Sequence, residues 1–277
     1  MSLSLLLTLA GKEFRDGLRN RWFAAIAIML ALMAVGIAWV GGAASGQLGQ
    51  APLATTMVSL ASLAVLVIPL IALVLGYDSL VGEAEQGTLL LLLTYPLQRW
   101  HILLGKLLGQ GFIMAGATLL GFSGAALILV LSGGQEAWPL IRAFALFIAA
   151  AILLGWCFIA LAYGISAGAQ EKSKAAGLAL GLWLLLVLVF DLALLAALVA
   201  AQDQLSAQLF PYLLLLNPTD IFRLFTLAQF AAGQPLDGVM ALAQQLPYGL
   251  PTLLVAMLGW IVLPISWALW RFNRRPL

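Results

Sequence analysis

The sequence has very little charge. Only 9% of its 277 residues are Asp, Glu, Lys or Arg, and 64% are hydrophobic, whereas a soluble domain carries about 25% charged residues. So few charges cannot cover a soluble surface, and the chain is therefore predicted to be an integral membrane protein. The apolar runs are long and continuous, which favours an all-α fold of transmembrane helices over the alternating strands of a closed barrel.

Cysteine and histidine are almost missing, with one residue of each, Cys157 and His101. This excludes an internal disulfide framework and gives no pattern for a metal site. The apolar runs hold no paired carboxylates and no nucleophile beside a base, so we expect no catalytic site. Gly11-Lys12 and Gly105-Lys106 lack the Ser or Thr that ends a nucleotide-binding loop. If ATP drives this protein, ATP and Mg are expected on another subunit, with no cofactor bound directly to this chain.

Six apolar segments are long enough to cross a membrane as helices, and an amphipathic helix precedes them. In that N-terminal helix, residues 1–21, apolar residues recur every three or four positions and basic residues occupy the other sides. We predict that it lies at the membrane surface as an elbow helix. The six spans are predicted at about 22–40, 55–76, 109–131, 143–165, 176–200 and 250–270.

The Lys and Arg residues indicate how these spans are oriented. Six spans put both termini on one side, and 11 of the 13 Lys and Arg residues fall on that side. Because basic residues are retained in the cytoplasm, both termini and the 77–106 loop are predicted to be cytoplasmic. The segment 202–249 is then periplasmic, and the chain is predicted to be a multi-pass protein of a bacterial inner membrane.

One ionisable residue, Asp191, lies within a predicted span. A carboxylate inside a membrane is costly and indicates a function by default, such as a place on a translocation path or a cation or proton site. The alternative is a protonated Asp that is hydrogen-bonded within the helix bundle. The sequence of the other spans shows no partner charge, and both interpretations stay open.

The periplasmic segment contains a helix start, Asn217-Pro218-Thr219-Asp220, in which Asn caps the helix and Pro occupies its first turn. We predict short helices here, separated by Pro and Gly.

The 77–106 loop is the most polar interruption in the first half of the chain. It carries three carboxylates, Asp78, Glu83 and Glu85, then Gly87-Thr88 and five consecutive leucines. We predict a helix parallel to the membrane, with exposed carboxylates and leucines as its buried base, that docks into a groove of a cytosolic partner. A plain interfacial loop is the alternative.

Several motifs together resemble the type-2 ABC permeases. The resemblance covers essentially the whole chain. Within this family, the chain most resembles the permeases that serve nitrous oxide reductase maturation. The motifs are K-E-x-x-D-G-L-R-N-R-W (12–22), Y-D-x-x-x-G-E-x-E-x-G-T-L (77–89), L-L-T-Y-P (92–96), L-G-K (104–106), E-K-S-x-A-A-G-L-A-L-G (171–181), F-D-L (190–192) and L-L-L-N-P-T-D-I (214–221).

This resemblance implies a homodimer of six-span subunits in the lipid membrane, a separate cytosolic ATPase and a periplasmic partner, with no nucleic acid. It implies export of a sulfur species, copper handover, or both, for the copper centres of nitrous oxide reductase. The residues implied in ATPase coupling are Asp78, Glu83, Glu85, Gly87, Thr88, Glu171, Lys172 and Lys174. Those implied in contact with the periplasmic partner are Asn217, Asp220 and Arg223.

Two other functions compete with this one. A secondary carrier driven by ions or protons would use Asp191, although such carriers often show internal repeats, which this sequence lacks. A permease that transmits movement without moving a substrate fits the sequence equally well. An intramembrane enzyme is disfavoured because the spans lack catalytic residues.

Overall fold

A computed structural model describes residues 2–19, 21–44, 53–95, 97–133, 136–200, 210–230 and 247–275 of the chain. These residues form helices and turns, and no strand occurs among them. Parts of the predicted periplasmic segment, 202–209 and 231–246, lie outside the described residues, as does most of the loop after the first span.

The helices are long where the sequence is apolar and short where it is interrupted by Gly, Pro or charge. A π-helical turn at Leu185–Val189 joins α8 to α9. The helices are α1 Ser2–Arg19, α2 Arg21–Ala44, α3 Leu53–Gly76, α4 Val81–Glu85, α5 Thr88–Thr94, α6 Arg99–Leu131, α7 Ala137–Gly168, α8 Lys172–Leu184, α9 Phe190–Ala200, α10 Phe210–Leu214, α11 Pro218–Phe230 and α12 Leu250–Arg274.

Five stretches of the described chain are long and apolar enough to cross a membrane, and α1 with α2 supplies a sixth when that bent pair is counted as one span. The axes of α1 and α2 meet at 65°, the geometry of a surface helix that turns into a span. All the spans are helical, so the prediction of an all-α integral membrane protein is confirmed.

Helix α6 is longer than the span predicted from hydropathy, since it starts at Arg99 rather than near residue 109. A capping box explains the early start, because Gln98 and His101 satisfy each other's exposed backbone amides. The first two turns of α6 therefore carry Lys106 into the helix bundle, although the sequence placed this residue in a loop.

Aromatic side chains hold the centre of the bundle together. Phe122 of α6 meets Phe147 of α7 edge to face at 5.0 Å between ring centroids, and Phe147 meets Phe222 of α11 at 5.8 Å. Each of the three rings is buried. Helix α11, predicted as part of an outer segment, is thus anchored in the same core as the spans, where it packs on α3, α7 and α12.

Candidate functional site

A buried lysine joins three elements at the end of the bundle where α4 and α5 lie. The Lys106 ammonium is 2.7 Å from a carboxylate oxygen of Glu83 in α4 and 3.1 Å from one of Glu13 in α1. Lys106 is only 4% exposed, so this cation depends on its two carboxylates. We call Glu13, Lys106 and Glu83 the lysine junction; it ties the surface helix α1 to α4 through α6.

The position of Glu83 differs from the sequence-based prediction. Its carboxylate was expected on an exposed face, but it points inward at Lys106, and one of its oxygens is buried without a hydrogen-bond partner among the described residues. Burial of Lys106 requires this orientation, because an isolated buried cation is far more costly than a paired one. The prediction of an exposed acidic face is therefore wrong for Glu83.

The two loops implied in ATPase coupling lie against each other. Asp78 forms an ion pair with Lys172 at 2.8 Å, and a carboxylate oxygen of Glu85 accepts a hydrogen bond of 2.6 Å from the Lys172 backbone N–H. This N–H belongs to the first turn of α8, where a negative charge is favoured by the helix dipole. The 77–106 loop and the start of α8 can therefore move as one unit.

A serine of α7 holds the start of α4. The hydroxyl oxygen of Ser166 accepts hydrogen bonds from the backbone N–H groups of Leu80 and Val81, at 3.0 and 3.1 Å. Ser166 is fully buried. These bonds satisfy amides that a helix start leaves without partners, and they fix α4 to the end of α7.

The turn between α4 and α5 depends on Gly87, which has φ of +73°. Other residues adopt this left-handed conformation only at a cost, which accounts for the Gly at this point of the motif. Thr88 closes the turn with a hydroxyl that donates to the carbonyl of Glu83 at 3.2 Å. Gly87 and Thr88 thus shape the turn and aim α5.

Helix α5 presents an apolar face outward. Leu90, Leu91 and Tyr95 are 54%, 64% and 65% exposed, whereas Leu89 is buried. The leucines were predicted as the buried base of a surface helix, and only part of them has that role. The exposed surface of the 77–106 loop therefore includes an apolar patch on α5 beside exposed Glu85.

The remaining predicted coupling residues stay at the surface. Glu171 and Lys174 form an exposed ion pair at 2.8 Å. The pKa of Glu171 is lowered, first by the hydrogen bond from Lys174 and then by its charge.

Sequence reasoning missed a polar network behind α4. The amide of Gln110 donates to the hydroxyl of Ser79 at 2.7 Å, and its carbonyl oxygen accepts from the hydroxyl of Tyr163 at 3.0 Å. Tyr163 is fully buried. No spacing rule connects these three residues, since they come from three separate elements, although a Gln inside an apolar span is itself a signal of a buried hydrogen bond.

Arg99 was also missed. Its guanidinium donates to three carbonyl oxygens at the end of α12, those of Phe272, Asn273 and Arg275, at 2.5, 3.0 and 3.0 Å. These are carbonyls that a helix end leaves without intrahelical donors. The first turn of α6 and the last turn of α12 are thereby locked together.

A second charged cluster lies towards the opposite end of the bundle, around Asp191. The guanidinium of Arg223, in α11, donates to Asp191 and also to Asp220, the latter at 3.1 Å. The sequence of the spans showed no partner charge for Asp191, because its partner comes from the segment between the last two spans. Two carboxylates share one cation here.

Burial decides the state of Asp220. It is 1% exposed, and burial, followed by the charge of Asp191, raises its pKa to about 7. Asn217, fully buried, donates to the other carboxylate oxygen of Asp220 at 3.2 Å.

This burial corrects the expected position of two residues. Asn217 and Asp220 were predicted to face a periplasmic partner, but both side chains lie inside the chain. A contact of this segment with a partner stays a prediction, now for its exposed residues such as Tyr212 and Leu216.

Asn217 links α11 to the π-helical turn. Its amide donates to the carbonyl of Leu186, inside the turn, at 2.8 Å, and its side-chain oxygen accepts from the Thr219 N–H at 3.1 Å. The second bond is the helix cap that the sequence predicts for Asn217. Because π-turns are often found at functional positions, this contact makes Leu186 a candidate hinge of the α8–α9 span.

The geometry therefore defines a class of protein: a multi-span membrane subunit with two loops joined at one end and a charged cluster at the other. A family model described as ABC-2 family transporter protein matches residues 7–277. The chain belongs to this family and is the membrane permease subunit of an ABC transporter.

Two relatives narrow the comparison. A protein of Pseudomonas aeruginosa named "Probable ABC transporter permease protein NosY" is 53% identical over 276 residues, which cover 99% of this chain and 100% of the relative. A protein of the same name from Stutzerimonas stutzeri is 53% identical over 268 residues, or 96% and 97% of the two chains. The chain is thus similar to NosY permeases over nearly its full length.

Proposed function

We propose that this chain is the permease of the transporter that matures the copper centres of nitrous oxide reductase, and that it works with a separate NosF-like ATPase in the cytoplasm. The observation that carries the proposal is the 53% identity to two NosY permeases along almost the whole chain. A NosD-like subunit is the partner on the periplasmic side, facing the exposed residues Tyr212 and Leu216 around α10.

The joined loops give the ATPase a place to act. Hydrogen bonds and ion pairs connect α4 with α8 through Glu85, with α7 through Ser166, and with α1 through the lysine junction. A movement of α5 would therefore be transmitted to α4 and, through α4, to α1, α7 and α8. We place the docking surface on Leu90, Leu91 and Tyr95, since a buried apolar centre is what protein interfaces use for affinity.

The second subunit of the proposed homodimer would lie on the face of α8 and α9. Only 17% of the most apolar window of this span is buried within the chain. A Cβ added at Gly177 or Gly181 would meet nothing within 4 Å, so a second helix has room for close approach at these small residues.

The polar groups of one subunit favour transmission of movement over passage of an ionic cargo through that subunit. The Gln110 network and the Asp191 cluster lie towards opposite ends, and buried apolar side chains such as Phe122, Phe147 and Phe222 fill the core of the described bundle. A sulfur species, if exported, would have to pass between the two subunits. Copper handover would take place on the periplasmic partner in response to the movement.

The test is directed at α5, because Glu83→Lys would disrupt the lysine junction and confuse docking with folding. The double variant Leu90→Gln, Leu91→Gln is expected to weaken binding of the co-expressed ATPase at least about tenfold, as loss of a central apolar anchor does. Binding is measured by co-purification and titration, and coupling by the ATPase rate of the complex.

Leu131→Gln is the matched control, because it removes an exposed leucine, 76% exposed, at the last residue of α6, where no partner contact is proposed. It should leave ATPase binding unchanged. Unaltered ATPase binding and coupling in the α5 double variant would show that the docking surface is elsewhere.

A further inference from the structure

Helix α1 has one face committed to the bundle. Leu9 and Glu13 lie against Gly105 and Gly109 of α6, so closely that a Cβ on Gly109 would be 2.5 Å from the Cβ of Glu13. Leu6, Leu9 and Ala10 are buried on this face. Helix α1 is therefore held rigidly on α6 rather than floating on the membrane.

The opposite side of α1 carries exposed cations. Lys12, Arg15 and Arg19 follow one another at spacings of three and four residues, which confines them to an arc of roughly 60° on a helix with 3.6 residues per turn. All three are exposed. Lys12 is paired with Glu13 at 3.7 Å and with Asp16 at 3.8 Å. Arg15 and Arg19 form no ion pair within the part of the chain that the structure describes.

Exposed leucines lie beside this arc. Leu7 and Leu18 are 59% and 43% exposed, and their positions place them next to the cations, away from the face that packs on α6. A cationic arc next to exposed leucines is suited to a membrane surface, where acyl chains cover the leucines and headgroups meet the cations. An acidic protein segment would leave the leucines without that cover.

The buried face of α1 carries Glu13 of the lysine junction. Through Lys106, the carboxylate of Glu13 is connected to Glu83 in α4. The three side chains of the lysine junction thus connect α1 with α4. A displacement of α1 would therefore be transmitted to α4 through these side chains.

We propose that Arg15 and Arg19, with Lys12, form a binding surface for the headgroups of anionic phospholipids, and that occupation of this surface adjusts ATPase coupling through the lysine junction. The lipid-binding part rests on the geometry of α1. The coupling part rests in addition on the function proposed for α4 and α5.

The first experiment measures lipid binding without any ATPase. The permease is reconstituted in phosphatidylcholine vesicles, and its association with spin-labelled phosphatidylglycerol is compared with that of spin-labelled phosphatidylcholine. The wild-type chain should prefer phosphatidylglycerol. Arg15→Gln with Arg19→Gln should reduce this preference, by roughly fivefold per arginine at most.

Two control variants make this result specific. Arg15→Lys with Arg19→Lys keeps the charge and should keep the preference. Arg142→Gln removes an exposed cation from α7, away from α1, and should also keep it. Equal association of both lipids with the wild-type chain, or an unchanged preference in the Gln double variant, would overturn the proposal.

The second experiment measures ATPase rates of the full complex in phosphatidylcholine vesicles with and without phosphatidylglycerol, an anionic lipid that gives the membrane a negative surface potential. The wild-type rate should depend on the anionic lipid, and the Gln double variant should lose that dependence. Glu13→Gln should keep the lipid preference but lose its effect on the rate, because only the junction is weakened.

The outcomes separate the two proposals. Stimulation of the ATPase by the permease in both vesicles, without any lipid effect, would overturn the coupling part of this inference and leave the proposed function intact. An ATPase that is unaffected by the permease in either vesicle would contradict the proposed function itself.

Discussion

At the scale of single residues, the chain places its few buried charges in pairs and triplets. Lys106 is held by Glu13 and Glu83, and Arg223 is held by Asp191 and Asp220. In an apolar bundle such groups are tolerated only when each has its partner. The two clusters therefore act as fixed connections between elements that are far apart in sequence.

The Asp220 carboxyl gives the protein a pH-dependent stability. Its pKa is raised from 3.8 to about 7 in the folded chain, so the folded state binds a proton that the unfolded state has already lost above pH 4. The stability from this proton is fully present below the unfolded pKa and is lost as the pH rises through about 7. We expect Tm in detergent to fall between pH 5 and pH 8.

Asp220→Asn should flatten this dependence, because an amide cannot release the proton. The exposed residue Asp16, with 59% of its side chain accessible, provides the control: Asp16→Asn should retain the slope of the wild-type chain. A slope that is equally steep in Asp220→Asn would assign the titration to another group.

At the scale of elements, the close packing of neighbouring helices depends on glycines. Two pairs of glycines, Gly105 with Gly109 in α6 and Gly164 with Gly168 in α7, recur at four-residue spacing, which lets helices approach closely. The first pair receives α1, and the second receives Trp267 and Arg271 of α12. The same spacing occurs at Gly177 and Gly181, where an added Cβ would meet no atom within 4 Å among the described residues.

Gly109→Ala tests the contact between α1 and α6. The added Cβ would lie 2.5 Å from Glu13 Cβ and 2.9 Å from the Ala10 carbonyl oxygen. Because a backbone atom cannot turn aside as a side chain can, α1 must shift, at a cost of about 1–3 kcal/mol. The expected result is a lower Tm in detergent and weaker coupling through the lysine junction.

Gly124→Ala, in the same helix, is the matched control. Nothing lies within 4 Å of a Cβ added at Gly124, so this change should be neutral or stabilising by about 0.5–1 kcal/mol. Similar Tm values for the two variants would indicate that α1 does not pack on α6 as described.

At the scale of the whole molecule, the α4–α5 segment and the Asp191 cluster are set apart by the length of the bundle. Movement that starts at α5 has a direct route through α4 to α7 and α8, and the π-turn at Leu186 connects α8 to Asn217 of α11. This continuity supports the proposal that the chain transmits movement from α5 to α11.

The orientation in the membrane can be tested with single cysteines. The native Cys157 is fully buried, so its thiol should contribute little background labelling. Leu91→Cys should react with a membrane-impermeant maleimide only from the cytoplasmic side, and Trp138→Cys, in a position that is 75% exposed near the start of α7, only from the other side. Labelling of both from one side would contradict the six-span topology.

Much of the fold could be predicted because hydropathy is a local property. The long apolar runs predict the helices, and the amphipathic pattern of residues 1–21 predicts an elbow helix. The structure has a helix there, α1, and its place at the membrane surface stays a prediction. The ends of the helices were less predictable. Helix α6 gains its first two turns from a capping box and from Arg99 bonded to α12, and the second of these contacts spans 173 positions of sequence.

The location of the candidate site in the 77–106 loop was predicted, but the directions in which its side chains point were not. The sequence directed attention to 77–106 because charges are rare elsewhere in that half of the chain. It did not reveal that Glu83 turns inward, since this depends on where Lys106 and Glu13 arrive after α1 and α6 have packed. Asp191 was recognised as unusual because charged residues are rare within the spans. Its partner Arg223 was assigned to the periplasmic segment and not to a span.

The sequence by itself thus determined that this protein is a helical membrane subunit with a polar loop of special importance, because composition and periodicity act over neighbouring residues. Only the tertiary structure decided which charge meets which, and which face of each helix is left outside. Those outcomes depend on how helices rotate about their axes when they pack. For that reason the lysine junction, the apolar face of α5 and the pairing of Asp191 with Arg223 appear only in the folded molecule.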